Sequence, residues 1–240
     1  MTRTSPMLRD LRALGAHFRD EAEAVLRFAL SGAVGNIALV SSFGADSAVL
    51  LHMVSRIAPA TPVLFIDTQM LFPETLEYQR TLADHLGLSD LRVVRAADLA
   101  RADPGDSLHR TDPDACCDLR KTAPLEIALA GFHGWITGRK RAQGGLRAAM
   151  DAFEHDPATG HLKINPLAAW DSARLRAYLD DHALPRHPLV ARGYPSIGCA
   201  PCTSPVAAGE SPRAGRWRGQ GKDECGIHIV DGRVVRGSAA

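Results

Sequence analysis

The chain has 240 residues, 45% apolar and 23% charged, with a formal net charge of +1 at pH 7. That length supplies the core of one α/β domain or two small ones, and so balanced a charge excludes a reading driven by attraction to nucleic acid or a membrane surface. No apolar run approaches the ~18 residues of a spanning helix, and the first thirty residues carry acids and bases where a leader would be apolar, so a cytoplasmic protein is expected.

Residues 6–30 place Leu8, Leu11, Leu14, Phe18, Ala22, Val25 and Leu26 at helical spacing, which predicts one amphipathic helix. "NIALVSS" (36–42) reads as a short strand, "FGADS" (43–47) as a turn and "SAVLLHMVSRI" (47–57) as a helix. "PVLFIDT" (62–68) is a second buried strand. Pro73 opens a helix through His85, because proline is favoured at a first helical position. "LRVVR" (91–95) is a third strand, and a polar loop with Pro and Gly follows. "APLEIALAGF" (123–132) reads as helix and "GWITG" (134–138) as a fourth strand. Residues 152–167 turn near Pro157–Gly160 and predict a hairpin or edge strands; 172–184 is a helix capped by Asp171 or Ser172. Alternating strands and helices predict a doubly wound, mostly parallel α/β sheet. Beyond Pro185 the pattern fades into a tail rich in Gly, Pro and Arg. Between Pro185 and Arg218 the only acid is Glu210, a local balance that suits an anionic small molecule.

Five cysteines in a reducing compartment point to metal ligands or nucleophiles rather than disulfides. Cys116 and Cys117 are adjacent, and Cys199 and Cys202 form a C-x-x-C with ligand spacing. Four thiolates in two pairs suit zinc or an iron–sulfur cluster. Adjacent cysteines favour the cluster, since each can serve a different iron. A buried pair beside a redox C-x-x-C stays open as the plainer alternative. Cys225, in "KDECGIH" (222–228), stands apart; it is a surface thiol or a nucleophile whose pKa Lys222 and His228 would lower.

"SSFGADS" (41–47) joins a strand to a helix, where backbone N–H groups can face an anion, although no Walker A pattern follows. In an open α/β sheet, ligands sit at the carboxyl ends of strands, so Asp67 and Thr68 can share that crevice. "TGRKRAQGGLR" (137–147) leaves the fourth strand at the same edge with Arg139, Lys140, Arg141 and Arg147.

These stretches, with "FIDTQMLFPET" (65–75), "CCDLRK" (116–121), "GCAPC" (198–202), "GRW" (215–217) and "ECGIH" (224–228), resemble the assimilatory sulfonucleotide reductases. The resemblance spans about residues 35–230 and is nearest the iron–sulfur branch acting on adenylyl sulfate (APS). It implies an adenine nucleotide α-hydrolase-like fold, with residues 1–205 as the nucleotide-binding reductase domain and 206–240 as a mobile catalytic segment. It implies that Cys116, Cys117, Cys199 and Cys202 hold a [4Fe–4S] cluster. Cys225 would attack the sulfate sulfur, releasing AMP and leaving an S-sulfocysteine. Thioredoxin, or glutaredoxin, would then release sulfite. The same resemblance sets Lys121 between cluster and sulfate, and Arg147, Arg213 and Arg216 on the phosphosulfate. It sets Ser42, Phe43, Gly44 and Ser47 around the nucleotide, Asp67 and Thr68 by the adenine, and Gly138 by the ribose.

The chemistry asks for such residues. A dianionic substrate needs several fixed cations in a dry site, and arginine stays charged there. The same cations offset the repulsion between a thiolate and an anion. A glycine-rich "GRWRGQGKDECG" (215–226) lets the nucleophile meet first substrate, then reductant. The cluster is expected to anchor the tail and tune the field at Lys121, not to carry electrons. The sequence departs from the pattern in a short segment between "GRW" and "ECGIH" and in the "FGADS" wording of the loop. Rival readings are a reductase of 3′-phosphoadenylyl sulfate (PAPS), with Arg139 and Lys140 meeting the extra phosphate; an ATP-using, tRNA-thiolating relative, which would want an SGGxDS loop and an RNA-binding extension; and a four-cysteine zinc module without enzymatic activity. No nucleic-acid or membrane partner is expected, and homo-oligomerisation stays open.

Overall fold

A computed structural model describes residues 10–18, 21–156, 159–220, 222 and 224. The first stretch forms two helices, α1 (Leu11–His17) and α2 (Ala22–Ala29), rather than the single one expected over 6–30. The chain turns after Phe18, whose carbonyl accepts from the Glu21 N–H at 2.8 Å. The turn sets Phe18 against Phe28 and Phe153, with ring centroids 5.3 and 6.1 Å away. Burying that ring favours a break over a continuous helix.

The sheet elements follow the apolar runs. They are β1 (Ile37–Ser41), β2 (Val63–Ile66), β3 (Leu91–Val94), β4 (Gly134–Ile136), β5 (Phe153–His155) and β6 (Leu162–Ile164). Their order is β3-β2-β1-β4-β6-β5, all parallel except the β5–β6 hairpin. Successive side chains alternate between two cores, as the pleat requires. Leu39, Val63 and Phe65 join the core under α3 (Ser47–Ile57) and α4 (Pro73–Leu86); Ala38, Leu64 and Ile66 join the core with Leu125, Leu129 and Trp135. Both faces are thus covered, and the apolar runs of β1 and β2 read as continuous for that reason. The doubly wound expectation holds.

Where a loop was expected after β3, the chain makes short helices: α5 (Leu99–Ala102), α6 (Leu108–Thr111) and α7 (Pro113–Cys117). Asp112 starts α7 by accepting from the Ala115 N–H at 3.0 Å, with Pro113 in the first helical position. A π-helical turn, Asp118–Thr122, carries α7 into α8 (Ala123–Ala128). Pro124 has no N–H for a regular bond, and the Ala123 N–H reaches back five residues to the Asp118 carbonyl. The cysteine pair therefore sits on a helix, not in a loop. The helix α9 (Ser172–Asp181) is capped by Asp171, which accepts from the Arg174 N–H at 2.8 Å. Among the described residues, no helix is long and apolar enough to cross a membrane.

Candidate active site

The chain runs outward from β1 to β3, then returns to the other side of β1 as β4. This is a topological switch point, and a crevice opens beyond the carboxyl ends of β1 and β4. Its volume is about 410 Å³. Ser42, Gly44 and Ser47 line it from the β1–α3 turn, Thr68 from the end of β2, Gly138 from the end of β4. Lys121, Arg147, Cys199, Arg213 and Arg216 complete one end.

The β1–α3 turn is set by its own backbone. Ser41 Oγ accepts from the Phe43 N–H at 3.1 Å, and Phe43 takes a left-handed φ of 49°. Its ring is fully buried, edge-on to Phe65 at 5.2 Å, so Phe43 props the turn from below. Asp46 does not cap α3 with its side chain; its carboxylate accepts from Lys140 Nζ at 2.8 Å instead. The start of α3 thus lacks a side-chain cap, with the Ser47 and Val49 N–H groups donating to the Gly44 and Asp46 carbonyls at 3.1 and 3.3 Å, and a helix start facing a crevice suits an anionic ligand.

Asp67 and Thr68 part company. The Asp67 carboxylate accepts from the Gln69 N–H at 2.9 Å and from Arg95 Nε at 2.8 Å, which shapes the turn after β2. Thr68 lies beside the thiols, its hydroxyl 3.2 Å from Cys199 Sγ. Arg139 and Lys140 are each matched: Arg139 to Glu154 and to Asn165 Oδ1 at 3.0 Å, Lys140 to Asp46.

Cys116, Cys117, Cys199 and Cys202 are all buried and all unbridged. Two backbone hydrogen bonds hold the second pair in place, one to the turn after β2 and one to Trp217. The Ala200 N–H donates to the Met70 carbonyl at 2.7 Å, and the Trp217 N–H donates to the Cys202 carbonyl at 3.0 Å. Trp217 and Met70 pack against Cys199 and Cys202. Burial, then the neighbouring Cys117, pushes the Cys116 thiol up to about 11. Burial and Cys199 raise Cys202 as well. Burial alone would also raise Cys199, but Lys121, the Thr68 hydrogen bond and Arg216 outweigh it and hold that thiol below the ordinary value. Four buried thiols that repel one another as thiolates, beside two cations, are a donor set that asks for a positive centre. Among the described residues no three His, Cys, Asp or Glu side chains are gathered as a site for a single ion.

Three further residues carry this end of the crevice and escape a reading of the sequence alone. Arg120 is fully buried; it donates to Asp103 Oδ2 at 2.9 Å, to Asp106 Oδ1 at 2.5 Å and to the Thr68 carbonyl at 3.1 Å. Gly198 lies flat against the Arg216 guanidinium, where a Cβ would collide. Arg216 also stacks on Trp217, 4.4 Å from the ring centroid, and donates to the Ile197 carbonyl at 3.3 Å. Glu224 accepts from Arg147 Nε at 2.5 Å and lies 3.5 Å from Arg213 Nη2. Lys222 is directed to Asp114, at 2.6 Å. Cys225 and His228 lie outside the described residues.

The switch-point crevice, the uncapped helix start and the cationic end with four thiols define a nucleotide-binding α/β protein with a thiol-rich centre. Residues 36–205 match the phosphoadenosine phosphosulfate reductase domain model, and the chain belongs to that family. It is 51% identical to the adenosine 5′-phosphosulfate reductase of Chelativorans sp. (strain BNC1), over 87% of this chain and 86% of that one. It is 52% identical to the enzyme of the same name from Mesorhizobium japonicum, over 80% and 76%. Among solved structures it resembles the phosphoadenylyl-sulfate (PAPS) reductase of Candida auris in its phosphate complex. That match has a TM-score of 0.73 at 29% identity and covers 85% of this chain and 98% of that chain.

Proposed function

We propose that this oxidoreductase reduces adenylyl sulfate to sulfite and AMP, in sulfate assimilation. The observation that carries the reading is that Lys121, Arg147, Arg213 and Arg216 line one nucleotide-sized crevice together with Cys199. The adenosine lies in the crevice against the β1–α3 turn and Gly138, and the phosphosulfate points to the cations. The Cys225 thiolate attacks the sulfate sulfur, an S–S bond forms, and the S–O bond to AMP breaks. The cations offset charge on the departing phosphate. A dithiol reductant of the thioredoxin or glutaredoxin type then attacks the S-sulfocysteine; sulfite leaves, and the reductant's two thiols end as a disulfide. Two electrons come from that dithiol, so the balance closes.

Cys116, Cys117, Cys199 and Cys202 would hold a [4Fe–4S] cluster. Held by these four residues, such a group would link α7 to the Cys199–Cys202 turn and would tune the field at Lys121. Thr68 supports the Cys199 end of this centre rather than the adenine. Residues 206–240 act as the catalytic segment on a nucleotide-binding domain of residues 1–205. The two relatives named adenosine 5′-phosphosulfate reductase, at 51% and 52% identity, favour adenylyl sulfate over PAPS.

The test is anaerobic purification with iron, sulfide and zinc analysis, followed by sulfite release from each nucleotide with thioredoxin. The expected result is a brown protein with about four irons per chain, faster on adenylyl sulfate, and inactive as Cys225→Ser. Stoichiometric zinc without iron, or preference for PAPS, overturns the respective part.

A further inference from the structure

Glu224 precedes the cysteine assigned above as nucleophile, and its carboxylate sits on the cations assigned to substrate. Arg147 donates to it twice, from Nε at 2.5 Å and Nη2 at 2.6 Å, as a bidentate fork. Arg213 Nη2 lies 3.5 Å from the same carboxylate. The Arg147 and Glu224 side chains are only 10% and 12% exposed, so the pair is largely withdrawn from solvent screening. Two residues earlier, Lys222 donates to Asp114 Oδ1 at 2.6 Å and to the Pro113 carbonyl at 3.0 Å, at the start of the cysteine-bearing helix. Lys222 and Glu224 are therefore each fastened, Glu224 to two arginines that line the crevice.

A carboxylate and a sulfate or phosphate group make the same demand on a guanidinium fork, two parallel acceptors at charge-assisted distance. One fork does not serve two anions at full strength, and two anions side by side repel. We infer that Glu224 is a positioning residue that stands in the anion seat of the substrate, so that the Glu224–Arg147 contact and the substrate's anionic group compete. The inference rests on the reading of the crevice as an adenylyl-sulfate site. Linkage makes the competition reciprocal: whatever factor Glu224 takes from substrate affinity, substrate takes from the Glu224 contact. Substrate bound in that seat would therefore displace Glu224 from Arg147.

The test is calorimetric titration of adenylyl sulfate into the anaerobically prepared full chain carrying Cys225→Ala, which binds without turnover. Adding Glu224→Gln keeps the shape and removes the charge. It is expected to tighten binding about fivefold or more, and Glu224→Ala to do the same. In an Arg147→Ala background the gain from Glu224→Gln is expected to vanish. A purely structural Glu224 would give equal or weaker binding in the variant, and that result overturns the inference while leaving the site reading intact. An equal gain with Arg147 absent also overturns it, since the effect would then be general charge removal. No binding by either chain overturns the site reading and the inference together.

Discussion

His187 shows how one buried ring sets a pH dependence. Its Nδ1 accepts from the Leu189 N–H at 3.2 Å, and its Nε2 lies 3.0 Å from Thr75 Oγ1. Burial holds the imidazole at about 4, below its ordinary 6.5. The unfolded chain takes up a proton near 6.5 and the folded chain only near 4, so stability is lost as pH falls through that window. The expected loss is of order 2 kcal/mol after allowance for partial screening. Urea unfolding of the wild type between neutral pH and the lower end of the window measures it, and His187→Asn is expected to flatten that slope. Gly198 supplies a second residue-scale case. Its missing side chain leaves room for the Arg216 guanidinium, held between Trp217 and the Ile197 carbonyl. Gly198→Ala should displace the arginine and raise KM for the nucleotide about tenfold, the worth of one charge-assisted hydrogen bond, with little change in thermal midpoint. A midpoint that collapses along with the affinity would assign Gly198 to folding instead.

The π-helical turn between α7 and α8 is the element on which the thiol-rich end depends. It carries Arg120 inward to Asp103, Asp106 and the Thr68 carbonyl, and Lys121 toward the crevice. Arg120 thus fixes three pieces of chain at once: the loop after α5, the end of β2, and the segment following the cysteine pair. Arg120→Met leaves the Asp103 carboxylate buried without its cation. The variant is expected to lose about 10–100-fold in affinity for the proposed iron–sulfur cluster, as support residues behind ligands commonly cost. Iron per chain after gel filtration against a chelator reads this out, and full retention would remove Arg120 from that role. The expected loop before residue 123 hid this element. Its signals are short: an Asp112 cap, Pro113 at the start, and Pro124 forcing the wider turn. The split of α1 from α2 was hidden for another reason. A helical repeat through Phe18 is compatible with one helix until the ring finds Phe28 and Phe153.

At the scale of the molecule, a net charge near zero coexists with a crevice end built from Lys121, Arg147, Arg213 and Arg216. Glu224 meets Arg147 and Arg213 there and offsets only part of that charge, so the remaining field at that end is local. A dianionic substrate should therefore feel ionic strength through KM more than through kcat. Raising salt from about 0.05 M to about 0.5 M is expected to raise KM severalfold, and an unchanged KM would show that these charges do not face the substrate. The described part of the tail belongs to the same body. The Ser204 N–H donates to the Gly215 carbonyl at 2.9 Å, Thr203 pairs with Arg216, and Trp217 packs on Cys199 and Cys202.

Much of this was written locally. The strands and their order of appearance, the helix starting at Ser47, the proline start of α4 and the β5–β6 hairpin follow from apolar runs and turn chemistry a few residues long. So do the residue types of the site: the two cysteine pairs, the turn after β1 and the basic stretch after β4. What tertiary structure decided is which charges are free to meet a ligand. Arg139 is matched by Glu154 and Asn165, Lys140 by Asp46 and Arg120 by Asp103, whereas Arg147 is shared between Glu224 and the proposed substrate seat. Those pairings join residues far apart in the chain, and a buried cation takes whichever anion the fold brings within reach. No periodicity or composition encodes that choice, because the desolvation that drives it exists only after the sheet, the helices and the tail have closed around the crevice.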